Sequence, residues 1–166
     1  MIAADTVRHL RAGRPAGVEA LWPSYAPRVR RLCRSLTGDE QHADEATAEA
    51  FLHVHEAAVD SELAPDPETW LFAAVLDSLR RVAPRAPTTR HGDESERVDA
   101  ILSTMPMADR LVLALYDVQG FSLDRTARLT GRTTEQTRAR LTEARIDFAR
   151  QWEATRRARE PNRSDP

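Results

Sequence analysis

Arginine recurs at nearly every turn of one C-terminal segment, GFSLDRTARLTGRTTEQTRARLTEAR, which runs from Gly120 to Arg145. A guanidinium group can pair with a phosphate, and it can read the edge of a guanine through two hydrogen bonds. A segment so rich in arginine therefore indicates nucleic-acid binding. The alternative is a solvated helix whose arginines pair with its own acidic residues, Glu135, Glu143 and Asp147.

A short helix, a tight turn and a longer helix would have to position these arginines. Ser122 and Thr133 belong to the residue types favoured at helix N-caps, and Gly131 suits the tight turn between two helices. The apolar spacing predicts helices over 122–129 and 133–154. These proportions are typical of a helix-turn-helix motif, whose second helix lies in the major groove of DNA.

The longer helix has one apolar face, formed by Leu141, Ala144 and Phe148. Four polar side chains lie off this face and are left for solvent or nucleic acid: Gln136, Arg138, Arg140 and Arg145. The N-terminal half of a recognition helix normally enters the major groove. We therefore expect Arg138 and Arg140 to lie near base edges. Arg145 and Arg150, further along the helix, should meet phosphate if they meet DNA at all.

Four side chains that could ligate a metal share one face of another predicted helix: His42, Glu45, Glu49 and His53. Helix bundles do bind metals through carboxylates and imidazoles. A single helix supplies too few ligands, however, and the paired Glu-x-x-His motif of such sites is missing. We therefore expect no metal site, and we expect His53 and His55 to be surface residues.

The 166 residues are 41% apolar and 30% charged, which fits a soluble globular protein of one medium domain or two small ones. No apolar run approaches the roughly 20 residues that cross a bilayer, and the N-terminus lacks the apolar core of a secretory signal. A single cysteine, Cys33, excludes an internal disulfide and a cysteine-rich zinc site. We therefore expect a cytoplasmic protein without membrane insertion, with Cys33 buried as a small apolar side chain.

The motifs that carry catalytic chemistry are missing from the sequence. It contains no nucleotide-binding loop, no nucleophile triad and no pair of carboxylates spaced for acid–base catalysis. We therefore expect a protein that is not an enzyme and that holds no cofactor.

The charges fall into three blocks of opposite sign. Residues 1–37 contain seven arginines and two acidic residues, whereas residues 38–79 contain eleven acidic residues and no arginine. Residues 120–159 contain ten arginines and five acidic residues. The net charge of −2 hides this division. Such blocks indicate separate binding surfaces.

Helical spacing recurs along the chain and strand signals are almost absent, which predicts an all-α fold. In the first half we predict helices over about 16–36, 40–58 and 67–83. Gly38 follows the first of these helices, as is usual just past a helix C-terminus, and acidic residues open the second. The apolar spacing predicts these inward-facing residues: Leu21, Tyr25, Val29, Leu32, Leu36, Ala43, Ala46, Ala50, Phe51, Val54, Trp70, Leu71, Ala74, Val75 and Leu79.

The segment APRAPTTRHGDESE, residues 83–96, is rich in proline and charge and has no apolar spacing, which indicates an interdomain linker. Two further helices, over about 95–104 and 107–117, lead to the helix-turn-helix motif. The predicted organisation is an N-terminal helical domain over 1–83, a linker over 84–94, a C-terminal domain over 95–154 and a flexible tail over 155–166.

The order of these features resembles that of the extracytoplasmic-function (ECF, group IV) sigma factors of bacterial RNA polymerase, over about residues 17–152. LWPSYAPRVRRLCRSLTGDEQHADEATAEAFLHVHEA is similar to the opening of the family's conserved region 2, and WLFAAVLDSLRR is similar to a later helix of that region. MPMADRLVLALYDVQGFSLDRTARLTG is close to the region 4 pattern, and QTRARLTEAR falls on the family's recognition helix.

The resemblance implies a division of labour between the two domains. Region 2 of the family binds a coiled coil of the largest subunit of core RNA polymerase and melts the downstream promoter element, whereas region 4 reads the upstream element. Matching positions would place four residues at the contact with core polymerase: Asp44, Glu45, Glu49 and Phe51. They would place seven residues at promoter DNA: Arg132, Thr133, Gln136, Thr137, Arg138, Arg140 and Arg145. The family also implies regulation by an anti-sigma protein.

The chain departs from the family pattern in the loop before the third predicted helix, which reads VDSELAPDPETW. This loop carries Asp60, Glu62, Asp66 and Glu68, and four carboxylates beside a phosphate backbone are repulsive. Two functions therefore stay open. The first is an initiation factor that binds core RNA polymerase and directs it to promoters. The second is a sigma-like protein that cannot melt promoters and acts as a helix-turn-helix regulator or as a protein-interaction partner.

Overall fold

The computed structural model describes residues 2–60, 66–81 and 94–159. The chain divides into two compact units, Met1–Ala86 and Pro87–Pro166. In the described ranges every regular element is helical, which confirms the predicted all-α fold class. No helix in these ranges is long and apolar enough to cross a membrane.

The described part of the first unit contains four helices: α1 (Ala4–Arg11), α2 (Pro15–Thr37), α3 (Glu40–Asp60) and α4 (Pro67–Arg81). The last three lie where the apolar spacing predicts helices, and α3 packs against both α2 and α4. The predicted inward faces supply most of the core, because their residues recur at the helical period. The fully or almost fully buried side chains of this core include Leu21, Val29, Leu32, Cys33, Ala43, Ala50, Val54, Leu71, Phe72 and Val75.

Helix α1 has no counterpart among the predicted helices. It contains only 8 residues, too few for an apolar periodicity to stand out. Packing against α2 stabilises it, since Leu10 is buried and lies directly against Gly17 of α2. A Cβ atom at Gly17 would approach the Leu10 nitrogen to 2.7 Å, so only glycine permits this close approach of the two helices.

Local hydrogen bonds mark the ends of the helices in the first unit. Gly38 ends α2 in the left-handed conformation, with a φ of 73°. Asp39 opens α3 by accepting a hydrogen bond from the His42 backbone nitrogen at 2.9 Å. Asp66 opens α4 by accepting from the Thr69 backbone nitrogen at 3.3 Å. Such caps satisfy backbone donors that the first turn of a helix leaves unpaired.

The described part of the second unit contains four α-helices: α5 (Glu94–Thr104), α6 (Met107–Leu113), α7 (Leu123–Thr130) and α8 (Thr134–Arg159). A π-helical turn, Ala114–Val118, directly follows α6. Its wider hydrogen bonding is seen where the Gln119 nitrogen donates to the Ala114 oxygen at 2.9 Å. The helix predicted over 107–117 is therefore α-helical only as far as Leu113.

The predicted boundaries of the second unit need one correction. Helix α8 continues to Arg159, so residues 155–159 are helical and the tail predicted over 155–166 begins too early. The predicted linker over 84–94 lies outside the described residues except for Glu94, which is the first residue of α5.

The core of the second unit forms where α5, α6 and α8 meet. Leu141 and Ala144 of α8 are buried and Phe148 packs against them, which confirms the predicted apolar face of this helix. The ring of Phe148 stacks on that of Trp152, with 6.2 Å between the centroids. The other buried residues of this core are Ile101, Leu102, Met105, Val112 and Leu113.

Candidate nucleic-acid and protein interfaces

A tight turn joins α7 to α8. Ser122 caps α7 by accepting a hydrogen bond from the Arg125 nitrogen at 3.3 Å. Gly131 has a φ of 66°, in the left-handed region that glycine adopts without steric cost. The Arg132 nitrogen donates to the Ala127 oxygen at 3.0 Å and closes the end of α7. The cap predicted at Ser122 and the turn predicted at Gly131 are therefore both present.

Helix α8 begins in a reciprocal cap formed by Thr133 and Gln136. The Gln136 nitrogen donates to the Thr133 hydroxyl at 3.1 Å, and the Thr133 nitrogen donates to Oε1 of Gln136 at 3.1 Å. This arrangement is a capping box. The Thr134 hydroxyl donates to Oδ1 of Asp124 at 2.9 Å and ties the start of α8 to α7. Two of the predicted DNA contacts, Thr133 and Gln136, thus also stabilise the start of α8.

Thr137 is a predicted DNA contact that the structure contradicts. The residue is fully buried, and its hydroxyl donates to the Thr133 carbonyl at 2.9 Å. It precedes Leu141 by one helical turn, so it lies on the same inward face of α8. A buried threonine cannot offer its hydroxyl to DNA, and Thr137 instead belongs to the packing of the helix.

Two predicted DNA-binding arginines pair with carboxylates of other elements. Arg140 donates to Oδ1 of Asp109 on α6 at 2.6 Å. Arg145 donates two hydrogen bonds to Asp117 in the π-helical turn, one of them from Nε at 3.1 Å. The hydrogen bond to Asp117 raises the pKa of Arg145 above its usual value. Arg145 also lies over the ring of Tyr116, with its guanidinium carbon 5.3 Å from the centroid. Neither arginine pairs with the acidic residues of α8 itself.

Other arginines near the turn stay available to a ligand. Arg138 is exposed, and its side chain forms no hydrogen bond or ion pair with any described residue. Arg132 lies half-buried in the turn. Arg128, in the last turn of α7, is exposed as well. Sequence reasoning missed Arg128 because the motif directs attention to the second helix, although its charge and its place just before Gly131 were visible signals.

Phe51 of α3 is buried, with only 3% of its surface exposed and its ring centroid 4.9 Å from that of Trp22. A side chain packed in the core cannot form the polymerase contact that the resemblance assigns to it, so this prediction is wrong. The next residue, Leu52, is 62% exposed. The difference follows from helix geometry, because successive residues are turned by about 100° around the axis.

Leu52 belongs to an exposed strip of α3, called the acidic stripe here: Glu45, Glu49, Leu52, Glu56 and Val59. These positions are alternately four and three apart, so their side chains share one face of the helix. Glu45 accepts a hydrogen bond from Gln41 at 3.3 Å. Within the described ranges the other two carboxylates have no hydrogen bond or ion pair. The stripe thus surrounds an exposed leucine with negative charge.

Asp44, the remaining predicted polymerase contact, forms an ion pair with Arg30 of α2. Arg30 donates to both carboxylate oxygens, and the longer bond measures 3.4 Å. The hydrogen bond from Arg30 lowers the pKa of Asp44. Arg34 of α2 similarly pairs with Glu40 at 2.8 Å. Part of the acidic block therefore neutralises the arginines of α2 instead of facing a partner.

Two of the four acidic residues predicted to repel DNA have internal partners. Asp66 caps α4, and Glu68 forms an ion pair with Arg28 of α2. The side chain of Asp60 and the whole of Glu62 lie outside the described residues. The repulsion expected from this loop is therefore reduced at two of its carboxylates.

The four candidate metal ligands have separate surroundings. Nδ1 of His42 lies 2.8 Å from Oδ1 of Asp39, the residue that caps α3. Nε2 of His53 lies 3.2 Å from a carboxylate oxygen of Asp77 on α4. Among the described residues no group of three or more His, Cys, Asp or Glu side chains is arranged to hold a metal.

A family model for sigma-70 region 2 matches residues 21–83, which cover α2 to α4. The chain is also similar to the ECF RNA polymerase sigma factor SigM of Mycobacterium tuberculosis, in the Erdman and H37Rv strains alike. The identity is 27% over 154 aligned residues, and the alignment covers 84% of this chain and 79% of the relative.

Two solved structures share the fold. One is CnrH in complex with the cytosolic domain of CnrY, with a TM-score of 0.75 and 20% identity, covering 90% of this chain and 96% of that one. The other is the sigma factor RpoE of Bartonella quintana in complex with the anti-sigma factor NepR, with a TM-score of 0.68 and 14% identity, covering 81% and 96%. The chain is thus similar to sigma-70 region 2 over residues 21–83 and to an ECF sigma factor over most of its length. Sigma factors are transcription initiation factors and not enzymes.

Proposed function

We propose that this chain binds core RNA polymerase through its first unit and directs the polymerase to particular promoters through its second unit. The observation that carries the proposal is the exposed acidic stripe of α3, which lies inside the segment matched by the sigma-70 region 2 model. The relative in Mycobacterium tuberculosis is named as an RNA polymerase sigma factor, and this chain would have the same class of partner.

The acidic stripe has the chemistry of a docking surface for a basic protein. Glu45, Glu49 and Glu56 supply a field that steers a positively charged partner and disfavours a negatively charged one. Leu52 supplies an apolar contact among these charges, and removing its surface from water on binding would contribute to the affinity. A basic coiled coil, as the family uses on the polymerase, would fit this combination.

Promoter reading is assigned to the start of α8. Arg138 projects from the half of a recognition helix that enters the major groove, and no described residue competes for its guanidinium. The side-chain nitrogen Nε2 of Gln136 stays available to a base, because the side chain contributes only its oxygen to the capping box. Arg128 and Arg132 lie beside the turn, where they would pair with the phosphate backbone.

The initiation factor and the alternative, a sigma-like regulator, differ in strand opening. The regulator would bind DNA without melting it. Asp66 is held by the N-terminus of α4, and Glu68 is neutralised by Arg28. Both carboxylates therefore repel a nearby phosphate backbone less than free carboxylates would. This favours the initiation factor.

We also propose that an anti-sigma protein holds the chain inactive in the cytoplasm, where the polymerase works. CnrH was solved with the cytosolic domain of CnrY, and RpoE was solved with an anti-sigma factor. A partner of that class would cover surfaces that polymerase and DNA need, so its release would start transcription.

In vitro transcription with purified core polymerase tests the proposal. The templates are DNA sequences selected for binding to the complex of this chain with the core enzyme. We expect promoter-specific transcripts from the wild type and their loss in Glu49→Lys. Glu19→Lys, an equal charge change at an exposed position of α2, is the matched control and should transcribe normally. Binding to the selected DNA without an open complex, seen by permanganate footprinting, would establish the alternative instead.

A further inference from the structure

Arg145 lies on the recognition helix, but the π-helical turn holds it. We propose that Arg145 is a positioning residue, which fixes the angle of α8 against the rest of the second unit and does not itself contact DNA. The inference rests on the proposed reading of promoters by α8. It replaces the phosphate contact that the sequence predicts for this arginine.

Two neighbouring residues of the turn contact the guanidinium group of Arg145. Asp117 accepts hydrogen bonds from both Nε and a terminal nitrogen of Arg145, and Tyr116 lies under the guanidinium at 5.3 Å. A bidentate pair fixes orientation as well as distance, because the planar guanidinium matches the planar carboxylate. The ring adds a second constraint perpendicular to that plane.

The π-helical turn is itself anchored. Leu115 within it is fully buried, and its carbonyl accepts a hydrogen bond from the Phe121 nitrogen at 3.1 Å. The extra residue of a π turn also rotates the side chains that follow it relative to a continuous α-helix. The turn can therefore present Asp117 and Tyr116 toward α8 from a rigid support.

A phosphate contact by Arg145 would have to break this arrangement. It would leave the Asp117 carboxylate unpaired next to the phosphate backbone, and that repulsion opposes the new contact. Arg138 has no such tie within the described residues and lies about two turns nearer the start of the helix. The contacts of Arg145 with Asp117 and Tyr116 are called the clamp here. A small rotation of α8 about the clamp would displace Arg138 from a base edge, so the clamp controls the reading of DNA indirectly.

Fluorescence anisotropy of the full chain tests the inference, on the DNA selected with core polymerase and on a scrambled sequence, at several salt concentrations. The variants are Arg145→Gln and Asp117→Asn. Glu143→Gln is the matched control, since it removes the same charge as Asp117→Asn from an exposed residue of α8. Hydrogen exchange of the α8 amides is measured on the same proteins without DNA.

We expect both clamp variants to bind the selected DNA about three- to tenfold more weakly and to leave the slope of log affinity against log salt unchanged. Both should also speed the exchange of α8 amides, whereas Glu143→Gln should do neither. The inference would be overturned if Arg145→Gln reduced the slope of log affinity against log salt by about one while Asp117→Asn bound DNA as well as the wild type. That result would identify a phosphate contact by Arg145. If the wild type does not distinguish the two DNA sequences, promoter reading itself fails. The hydrogen-exchange data then test the clamp independently of DNA binding. Unchanged exchange of the α8 amides in both variants would reject the clamp.

Discussion

Arg28 of α2 and Glu68 in the first turn of α4 form a half-buried ion pair, with 30% and 19% of their side chains exposed. The guanidinium of Arg28 also lies over the rings of Phe72 and Tyr25, at 5.1 and 5.8 Å from their centroids. The pair joins two helices of the first unit at the point where the chain enters α4. An acidic residue that the sequence places in a DNA-repelling loop thus has a structural role.

Removing the cation of this pair should destabilise the first unit. We expect Arg28→Gln to lower the free energy of unfolding by about 1–2 kcal/mol, because it removes a positive charge that pairs with a half-buried carboxylate. Urea denaturation measures the change. Arg31→Gln, at an exposed position of the same helix, is the control and should stay within about 0.5 kcal/mol of the wild type. Equal losses in both variants would show that the ion pair contributes nothing specific.

Substitutions at Phe51 and Leu52 should separate stability from polymerase binding. Phe51→Ala should cost about 3–5 kcal/mol of folding free energy, because it empties a buried site. Leu52→Ala should leave stability within about 0.5 kcal/mol but weaken binding to core RNA polymerase about tenfold, since this side chain is exposed at the centre of the acidic stripe. Thermal unfolding and a polymerase titration measure the two quantities. A destabilised Leu52→Ala with normal polymerase affinity would remove Leu52 from the interface.

Arg138→Ala should weaken binding to selected promoter DNA by about 1–3 kcal/mol and relax the preference at one or two base pairs, if the guanidinium reads a guanine. The fold should be unaffected, because the side chain is exposed and has no partner in the described structure. Arg157→Ala, near the end of the same helix, removes an equal charge and serves as the control. Competition between promoter variants measures the preference. The same loss from both substitutions would reduce the role of Arg138 to a general charge effect.

Stability should fall at alkaline pH because of Cys33. Burial raises the pKa of this thiol from 9.0 to about 11. Between these values the unfolded chain releases the proton while the folded chain keeps it. The contribution to stability is therefore complete below pH 9 and is lost as the pH rises through about 11. Urea denaturation at pH 8 and pH 10.5 should show a smaller decrease for Cys33→Ala than for the wild type. An equal decrease in both proteins would contradict the assignment.

The helices and their inward faces were largely predictable from the sequence. Gly38, Ser122, Gly131 and Thr133 mark helix ends through hydrogen bonds and dihedral angles that involve residues at most a few positions away. Apolar faces such as Leu141, Ala144 and Phe148 follow from the helical period alone. Helix α1 was not predictable in this way, since its stability depends on the close approach of Leu10 to Gly17.

The environment of individual charged and apolar side chains was decided by the tertiary structure. The sequence determined that α8 carries many arginines, but the partners of two of them lie 31 and 28 positions away, at Asp109 and Asp117. The sequence also determined that Phe51 lies on the inward face of α3, yet only the packing of α2 decided that the Phe51 ring lies against Trp22. Local rules relate residues within a few positions of one another. An ion pair or a buried ring instead depends on the position and angle at which separate helices meet.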